Sequence, residues 1–201
     1  MNRRLGVLIS GRGSNLQALI DAIRNAELGA EIALVVSNQP DAACLDRAKA
    51  AGIETLCINH RDYSPREKHD EALVRALRER NVGLVCLAGY MRLVGKPLLE
   101  AFPNAILNIH PSLLPSFPGT DAQRQALEYG VKVSGVTVHF VTDELDGGPI
   151  VLQRTVPVMR GDTPESLAAR ILIEEHQAYP AAVRIVLAGG WKVDGRRFVV
   201  G

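Results

Sequence analysis

Apolar runs, glycine turns and stretches of helical spacing alternate along the first half of the chain. Leu5-Gly6-Val7-Leu8-Ile9 is continuously apolar, the pattern of a strand buried on both faces of a parallel sheet. After a Gly-Arg-Gly-Ser-Asn turn, apolar positions recur at Leu16, Leu19, Ile20 and Ile23, which is helical spacing, and Gly29 marks the exit. A strand over 32–36, a helix over 42–51 stopped by Gly52, and a short strand over 55–58 follow. This β-α-β-α-β rhythm predicts an α/β protein: a mostly parallel central sheet with helices on both faces.

The rhythm continues with a helix over about 65–80, whose leading Pro65 and acidic Glu67, Asp70 and Glu71 suit the positive end of a helix dipole. A strand over 84–88, a short helix near 96–101 and a fifth strand over 105–109 come next. Residues 110–119 carry Pro111, Pro115 and Pro118, which forbid regular structure and force a shaped loop. A helix over about 122–129 ends at Gly130, and 136–141 and 150–156 read as strands flanking the turn at 143–148. Thr163-Pro164-Glu165 opens the last long helix with a cap, a proline and an acid; it runs towards Tyr179-Pro180, resumes to Leu187 and stops at Gly189-Gly190. Asp194-Gly195 between short alternating arms signals a hairpin. The pattern reads as one domain over 1–201, with an N-terminal half of about 1–100, a C-terminal half of about 101–190 and a tail hairpin over 191–201.

Composition narrows the partners. The 201 residues fit one domain at about 150 residues each and leave no room for a second catalytic module. Lys plus Arg is 23 against 22 for Asp plus Glu, a balance with no general attraction for nucleic acid or anionic membranes, so an anionic ligand has to be held locally. An aromatic content of 4% argues against a surface that stacks unpaired bases. The longest mostly apolar stretch, 82–91, is far below the length of a membrane span, and the apolar run near the N-terminus is too short for a secretory signal. Cys44, Cys57 and Cys86, an odd set without C-x-x-C spacing, read as reduced and mostly packed thiols of a cytoplasmic protein.

The turns carry the chemistry. Ser10-Gly11-Arg12-Gly13-Ser14-Asn15 closes the first strand and opens the first helix, where free backbone N–H groups and the helix dipole converge and glycines let an oxyanion approach. A phosphate is the natural guest; a glycine turn chosen for tight geometry is the plain alternative. Leu16 stands at the third glycine of a dinucleotide fingerprint, Val36-Ser37-Asn38 supplies no acid, and no Gly-Lys-Ser/Thr follows, so the expectation is a single phosphate without ATP hydrolysis.

Strand alternation puts Asn108 and His110 on one side and Ile109 on the other. An amide donor and an imidazolium aimed at one spot stabilise the oxyanion of a tetrahedral acyl-transfer intermediate, while a buried pair serving loop backbone is the alternative. In Asp143-Glu144-Leu145-Asp146-Gly147-Gly148, Asp146 is the better candidate to sit beside His110, favour the imidazolium and fix its orientation; seen alone, the segment reads as a solvated acidic turn. Its spacing is not that of a calcium loop, no His/Cys set completes a zinc site, and no metal is expected. Without a Gly-x-Ser-x-Gly elbow or an activated cysteine, direct transfer between two bound substrates is favoured over a covalent acyl-enzyme. Arg66 and Arg92 are candidate partners for a ligand carboxylate, Glu174-Glu175-His176 reads as a solvated or capping face, His60 and His69 as peripheral, and His139 as packed or hydrogen-bonded in its strand.

These motifs closely resemble those of the glycinamide ribonucleotide formyltransferase family, folate-dependent enzymes of purine synthesis. The likeness lies in Ile9-Ser10-Gly11-Arg12-Gly13-Ser14-Asn15-Leu16-Gln17, Leu87-Ala88-Gly89-Tyr90-Met91-Arg92, Leu107-Asn108-Ile109-His110-Pro111-Ser112-Leu113-Leu114-Pro115, and Val138-His139-Phe140-Val141 through Asp146-Gly147-Gly148-Pro149. The resemblance implies a Rossmann-like formyltransferase fold and transfer of a formyl group from 10-formyltetrahydrofolate, as co-substrate, to the glycinamide amine. It implies that Gly13, Ser14 and Asn15 hold the ribonucleotide phosphate and Glu175 its ribose. Arg66, Met91, Arg92, Leu93, Val94 and Asn108 would form the folate site, with His110 as catalytic acid, Asn108 helping at the oxyanion and Asp146 supporting His110. The implied partners are small-molecule substrates, with neither nucleic acid nor membrane, and a monomer or homodimer.

Thr120-Asp121-Ala122-Gln123 departs from relatives that carry histidines there, which touches the hydrogen bonding near the phosphate rather than the reaction. A formyltetrahydrofolate hydrolase would use the same three residues with water as acceptor, although the first strand begins at once and leaves no room for a regulatory domain. An initiator-tRNA formyltransferase would need a further domain and a basic surface. A non-catalytic nucleotide-binding module would leave the convergence of Asn108, His110 and Asp146 without a purpose.

Overall fold

The apolar runs of the first half become strands in the computed structural model of the chain, which describes residues 2–201. β1 (Arg4–Ile9), β2 (Glu31–Ser37), β3 (Thr55–Cys57), β4 (Leu84–Leu87) and β5 (Ile106–His110) alternate with α1 (Ser14–Arg24), α2 (Ala43–Ala50), α3 (Arg66–Glu79) and α4 (Lys96–Ala101). The strands lie in the order β3-β2-β1-β4-β5, and every neighbouring pair is parallel. Leu5, Val7, Leu8, Leu34, Val35, Leu84 and Val85 are completely buried, as two-sided cover of a parallel sheet requires. Because β1 and β4 are parallel neighbours, the segments that follow them leave the sheet at the same edge, the carboxyl edge where ligands of α/β sheets bind. A single 3₁₀ turn, His60–Asp62, which the sequence pattern does not signal, precedes α3.

Contacts cluster the chain into one unit ending at Asn108 and a second, Ile109–Gly201. The second holds α5 (Ala122–Tyr129), the antiparallel pair β6 (Val133–Phe140) and β7 (Ile150–Pro157), α6 (Pro164–Ala188), and the tail hairpin β8 (Trp191–Asp194) and β9 (Arg197–Val200). α6 packs on β6 and β7. The hairpin turns where predicted, and β9 joins β7 through Ile150 and Arg197. Phe140, Trp191 and Phe198 gather with ring centroids 5.2–5.8 Å apart, anchoring the tail.

Three boundaries differ from the pattern. α1 ends at Arg24, ahead of the exit expected at Gly29. β6 begins at Val133, so the strand starts ahead of its apolar stretch. α6 is one helix of 25 residues that passes through Pro180 instead of breaking there. Proline costs about 3 kcal/mol inside a helix. Here Ile171, Ala178, Tyr179, Ala182, Val183, Val186 and Leu187 are all buried, so the apolar stripe continues across the proline and its burial outweighs the lost hydrogen bond. At its start, Thr163 Oγ1 accepts the Ser166 N–H and Ser166 Oγ accepts the Thr163 N–H, a reciprocal cap.

Candidate active site

In the first unit the turn after β1 meets α1 at Gly13, whose backbone is left-handed (φ 85°, ψ 29°), and no side chain caps the first turn. As N-cap, Gly13 has no side chain of its own to offer the leading amides of α1, and a helix start of this kind can take up an oxyanion. The φ of Gly13 favours glycine, and a Cβ there would crowd Cys44 Cβ at 3.0 Å. Ser14 is half-buried and Asn15 buried. A cavity of about 600 Å³ beside this turn is lined by Ser10, Gly11, Arg12, Gln39, Asn59 and Arg61, among others.

The Ser10 hydroxyl donates to Asn38 Oδ1 (2.6 Å) and accepts the Met91 N–H (2.9 Å), and the Ser10 N–H donates to the Gly89 carbonyl (3.1 Å). One residue therefore ties the turn after β1 to the segment after β4. That segment, 88–95, has no regular structure, and Met91 and Leu93 leave 77% and 58% of their surface in solvent. Arg92 and Val94 are half-buried. Arg66, exposed at the start of α3, donates from Nη2 to the Leu93 carbonyl (2.6 Å). Burial, with the Asp70 carboxylate nearby, pushes the Tyr90 phenol above its ordinary pKa.

In the second unit His110 ends β5, and its ring is flanked by oxygen on both sides. Nε2 lies 2.8 Å from the Phe117 carbonyl, to which it donates, and Nδ1 lies 3.5 Å from Asp146 Oδ2. Both side chains are more than nine-tenths buried. A ring between two acceptors has a partner for a proton on each nitrogen. Asp146 Oδ2 also accepts the Gly119 N–H (2.8 Å), and Asp146 itself sits in the left-handed backbone region (φ 50°), as does Phe117 (φ 57°). Unusual backbone at both residues aims groups at His110, the kind of local strain that collects at functional sites.

His139 was expected only to pack or hydrogen-bond in its strand. It is buried there and bonded through Nδ1 to the Phe140 carbonyl (2.9 Å), but its Nε2 also comes within 3.7 Å of Asp146 Oδ1. Burial holds the His139 pKa below the ordinary imidazole value despite that carboxylate. Beneath the loop, the buried Thr137 hydroxyl accepts from the Leu114 N–H (3.0 Å) and Gln153 Nε2 (3.0 Å) and donates to the Ser112 carbonyl (2.7 Å). The Gln153 amide also reaches the Leu114 carbonyl (2.9 Å). β6 and β7 thereby hold the start of the proline-rich loop that brings the Phe117 carbonyl to His110.

The structure thus gathers Asp146 beside His110 in the second unit, and the Gly13 turn, Arg66 and the 91–94 segment into linked loops in the first. Asn108 is half-buried, two residues before His110 on β5, and Glu175 is half-buried on α6. At 120–123, Asp121 is the left-handed N-cap residue of α5, and Gln125 Nε2 closes the turn onto the Thr120 carbonyl (2.7 Å). His69 is not peripheral but fully buried, because it shares the inner face of α3 with Leu73, Ala76 and Leu77; the i, i+4, i+7, i+8 spacing carried that signal. The roles of Ser10 and Thr137 left no mark in the pattern, since a hydroxyl's partners lie far off in sequence. Cys44, Cys57 and Cys86 are thiols outside any disulfide, with Cys57 exposed. Among the described residues no helix is long and apolar enough to cross a membrane, and no group of three or more His, Cys, Asp or Glu is placed to hold a metal ion.

A family model described as formyl transferase matches residues 3–183. Over 186 residues the chain is 50% identical to the trifunctional purine biosynthetic protein adenosine-3 of Homo sapiens, covering 92% of this chain but 18% of that protein, so it spans less than a fifth of this relative's length. It is 44% identical to the phosphoribosylglycinamide formyltransferase of Escherichia coli (strain K12), covering 94% of this chain and 87% of the relative. The crystal structure of glycinamide ribonucleotide transformylase 1 from Symbiobacterium toebii superposes with a TM-score of 0.97 at 54% identity, covering 99% of this chain and 94% of that one. A formyltetrahydrofolate deformylase from Pseudomonas syringae superposes with a TM-score of 0.92 at 28% identity, covering all of this chain and 66% of that one.

Proposed function

The chain belongs to the formyl transferase family, and on that premise we propose that it transfers the formyl group of 10-formyltetrahydrofolate to the amine of glycinamide ribonucleotide, a step of de novo purine synthesis. The observation that carries this reading is the buried His110–Asp146 pair, in a chain so like named phosphoribosylglycinamide formyltransferases. The glycinamide nitrogen attacks the formyl carbon directly. Negative charge collects on the formyl oxygen, where the Asn108 amide and His110 stabilise it. Collapse of the tetrahedral intermediate breaks the bond to N10 of the folate, which leaves as the amine once protonated, while the attacking nitrogen loses a proton. For His110 Nε2 to serve the formyl oxygen, that oxygen takes the place of the Phe117 carbonyl. Asp146 holds the ring from Nδ1, fixing its orientation through the exchange.

Binding falls to the remaining residues. The amides at Gly13, Ser14 and Asn15 take the ribonucleotide phosphate, a guest suited to an uncapped helix start, and Glu175 takes the ribose. Arg66, Met91, Arg92, Leu93 and Val94, with Asn108, take the folate, whose apolar ring accounts for the exposed Met91 and Leu93. On this reading the whole of 1–201 works as one formyltransferase domain in the cytoplasm, as monomer or homodimer, with no metal, nucleic acid or membrane partner.

The likeness to a deformylase favours one rival, hydrolysis with water as acceptor. A single assay separates them: formyltetrahydrofolate is supplied with and without glycinamide ribonucleotide while folate absorbance and product mass are followed. Turnover that depends on the ribonucleotide is the expected result. Acceptor-independent formate release would establish the hydrolase, and no folate turnover at all would leave a binding module.

A further inference from the structure

We propose that Asp70 is a positioning residue for the folate, setting through Gly95 the backbone of the 91–95 segment against which the folate binds. The inference rests on the assignment of 91–94 to the folate. That segment has no helix or strand of its own, so its shape depends on what grips its backbone. Three grips lie within the first unit. The Ser10 hydroxyl holds the Met91 N–H, Arg66 holds the Leu93 carbonyl, and Asp70 Oδ2 accepts the Gly95 N–H at 2.8 Å. Arg66 and Asp70 stand four residues apart on α3, hence on one face of the helix.

The Asp70 grip differs from the other two in being buried. Asp70 is 3% exposed, and a hydrogen bond from an amide to a buried carboxylate is of the strong, charge-assisted kind. His69, fully buried, donates from Nε2 to the Ile58 carbonyl (2.9 Å), and its Nδ1 lies 3.8 Å from Asp70 Oδ1. None of these atoms belongs to the proposed reacting or ligand-touching set, so this buried polar cluster has no part in the mechanism as described.

Gly95 supplies an independent observation. Its backbone (φ −95°, ψ 175°) is one that any residue adopts, so conformation does not demand glycine there. A Cβ at Gly95, however, would run into Asp70 Oδ2, so a side chain there has to displace the carboxylate. The absent side chain is what lets the end of the segment seat on the carboxylate.

Steady-state kinetics on three variants test this. Asp70→Ala should raise the KM for 10-formyltetrahydrofolate about tenfold, with kcat and the KM for glycinamide ribonucleotide within about twofold of wild type. Asp70→Asn keeps an oxygen that can accept the Gly95 N–H and should recover most of the loss. Gly95→Ala should reproduce the folate-specific defect on its own yet add nothing in the Asp70→Ala background, where the obstructing carboxylate is gone. Thermal melting establishes that each variant is folded, and if Asp70→Ala does not fold, Asp70→Asn and Gly95→Ala carry the test. A folded Gly95→Ala or Asp70→Ala with unchanged folate KM, equal loss for both substrates, or additive effects in the double variant would overturn the proposal. Wild-type turnover with any of those results sinks this inference alone, whereas a wild type that turns over no folate sinks the functional reading and this inference together.

Discussion

On the proposed reading, the turn after β1 and the loops around His110 both meet negative charge, but with different materials. At Gly13 the donors are main-chain amides at a helix start, shaped by a glycine that its φ favours, with no titratable side chain among residues 13–15. Around His110 the groups are two imidazoles and a carboxylate, nearly all buried, set by two loops whose backbones are left-handed at Phe117 and at Asp146. Amides hold a phosphate at any pH and give no proton away. A reaction that creates and discharges an oxyanion needs a group that can change state, and burial keeps water from competing with it. The difference divides binding from chemistry, and the same mutation strategy should separate kcat from KM in the two regions.

The largest expected effect breaks the chemical side. His110→Ala and Asp146→Asn should each lower kcat by roughly two to four orders of magnitude, with the affinity for ribonucleotide nearly intact. Formylation assays with a melting curve as control decide it, and near-normal turnover in either folded variant removes the catalytic assignment. Next comes the binding side. Gly13→Val forces a β-branched residue to φ 85° and presses its Cβ on Cys44, at a cost of about 1–3 kcal/mol in stability. Ribonucleotide affinity by calorimetry should fall with it, and unchanged affinity would show that the turn does not hold the phosphate.

A smaller effect tests the titratable character of the second region. Burial depresses the His139 pKa in the folded protein below its unfolded value near 6.5. As pH falls through that window the unfolded chain takes up a proton that the folded chain refuses, so stability drops; above it both forms are neutral and the contribution is fully present. One such group gives a slope of at most about 1.4 kcal/mol per pH unit. Urea unfolding of wild type and His139→Gln at a series of pH values should show a steeper acid-side loss in wild type, and parallel curves would refute the assignment.

How much of this was legible in the sequence follows the same division. Runs such as Leu5–Ile9 and the glycine turn behind them are local, and so are the prolines that make 110–119 a shaped loop; strands, turn and loop were all readable. Asp146 was reachable only as a candidate, since an acidic turn after a strand reads by itself as solvated and only its pairing with Asn108 and His110 gave it a role. The approach of His139 to the same carboxylate depends on the path of the chain between β6 and β7, which no local pattern encodes. Burial of His69 and the uninterrupted α6 were written in apolar spacing, but His69 and Pro180 carried local meanings that pointed the other way. Thr137 and Asp70 act through backbone groups 23 and 25 residues away, and a spacing of that kind leaves no period to detect.

The smallest effect bears on whether the first region is one device or two. The Ser10 hydroxyl is shared between the turn that would hold the phosphate and the segment that would hold the folate, accepting from Met91 and donating to Asn38. Ser10→Ala removes both hydrogen bonds without adding bulk, which should cost about 1 kcal/mol of stability. If the two loops are held independently, only that loss appears and each substrate binds the folded variant as before. If the hydroxyl sets them relative to each other, binding of either substrate should weaken while the favourable effect of one on the other, read by calorimetry with and without the second ligand, shrinks towards nothing. Because the hydroxyl touches only one backbone group of the folate segment and Asp70 another, Ser10→Ala should alter the coupling between substrates, whereas Asp70→Ala should alter folate affinity alone.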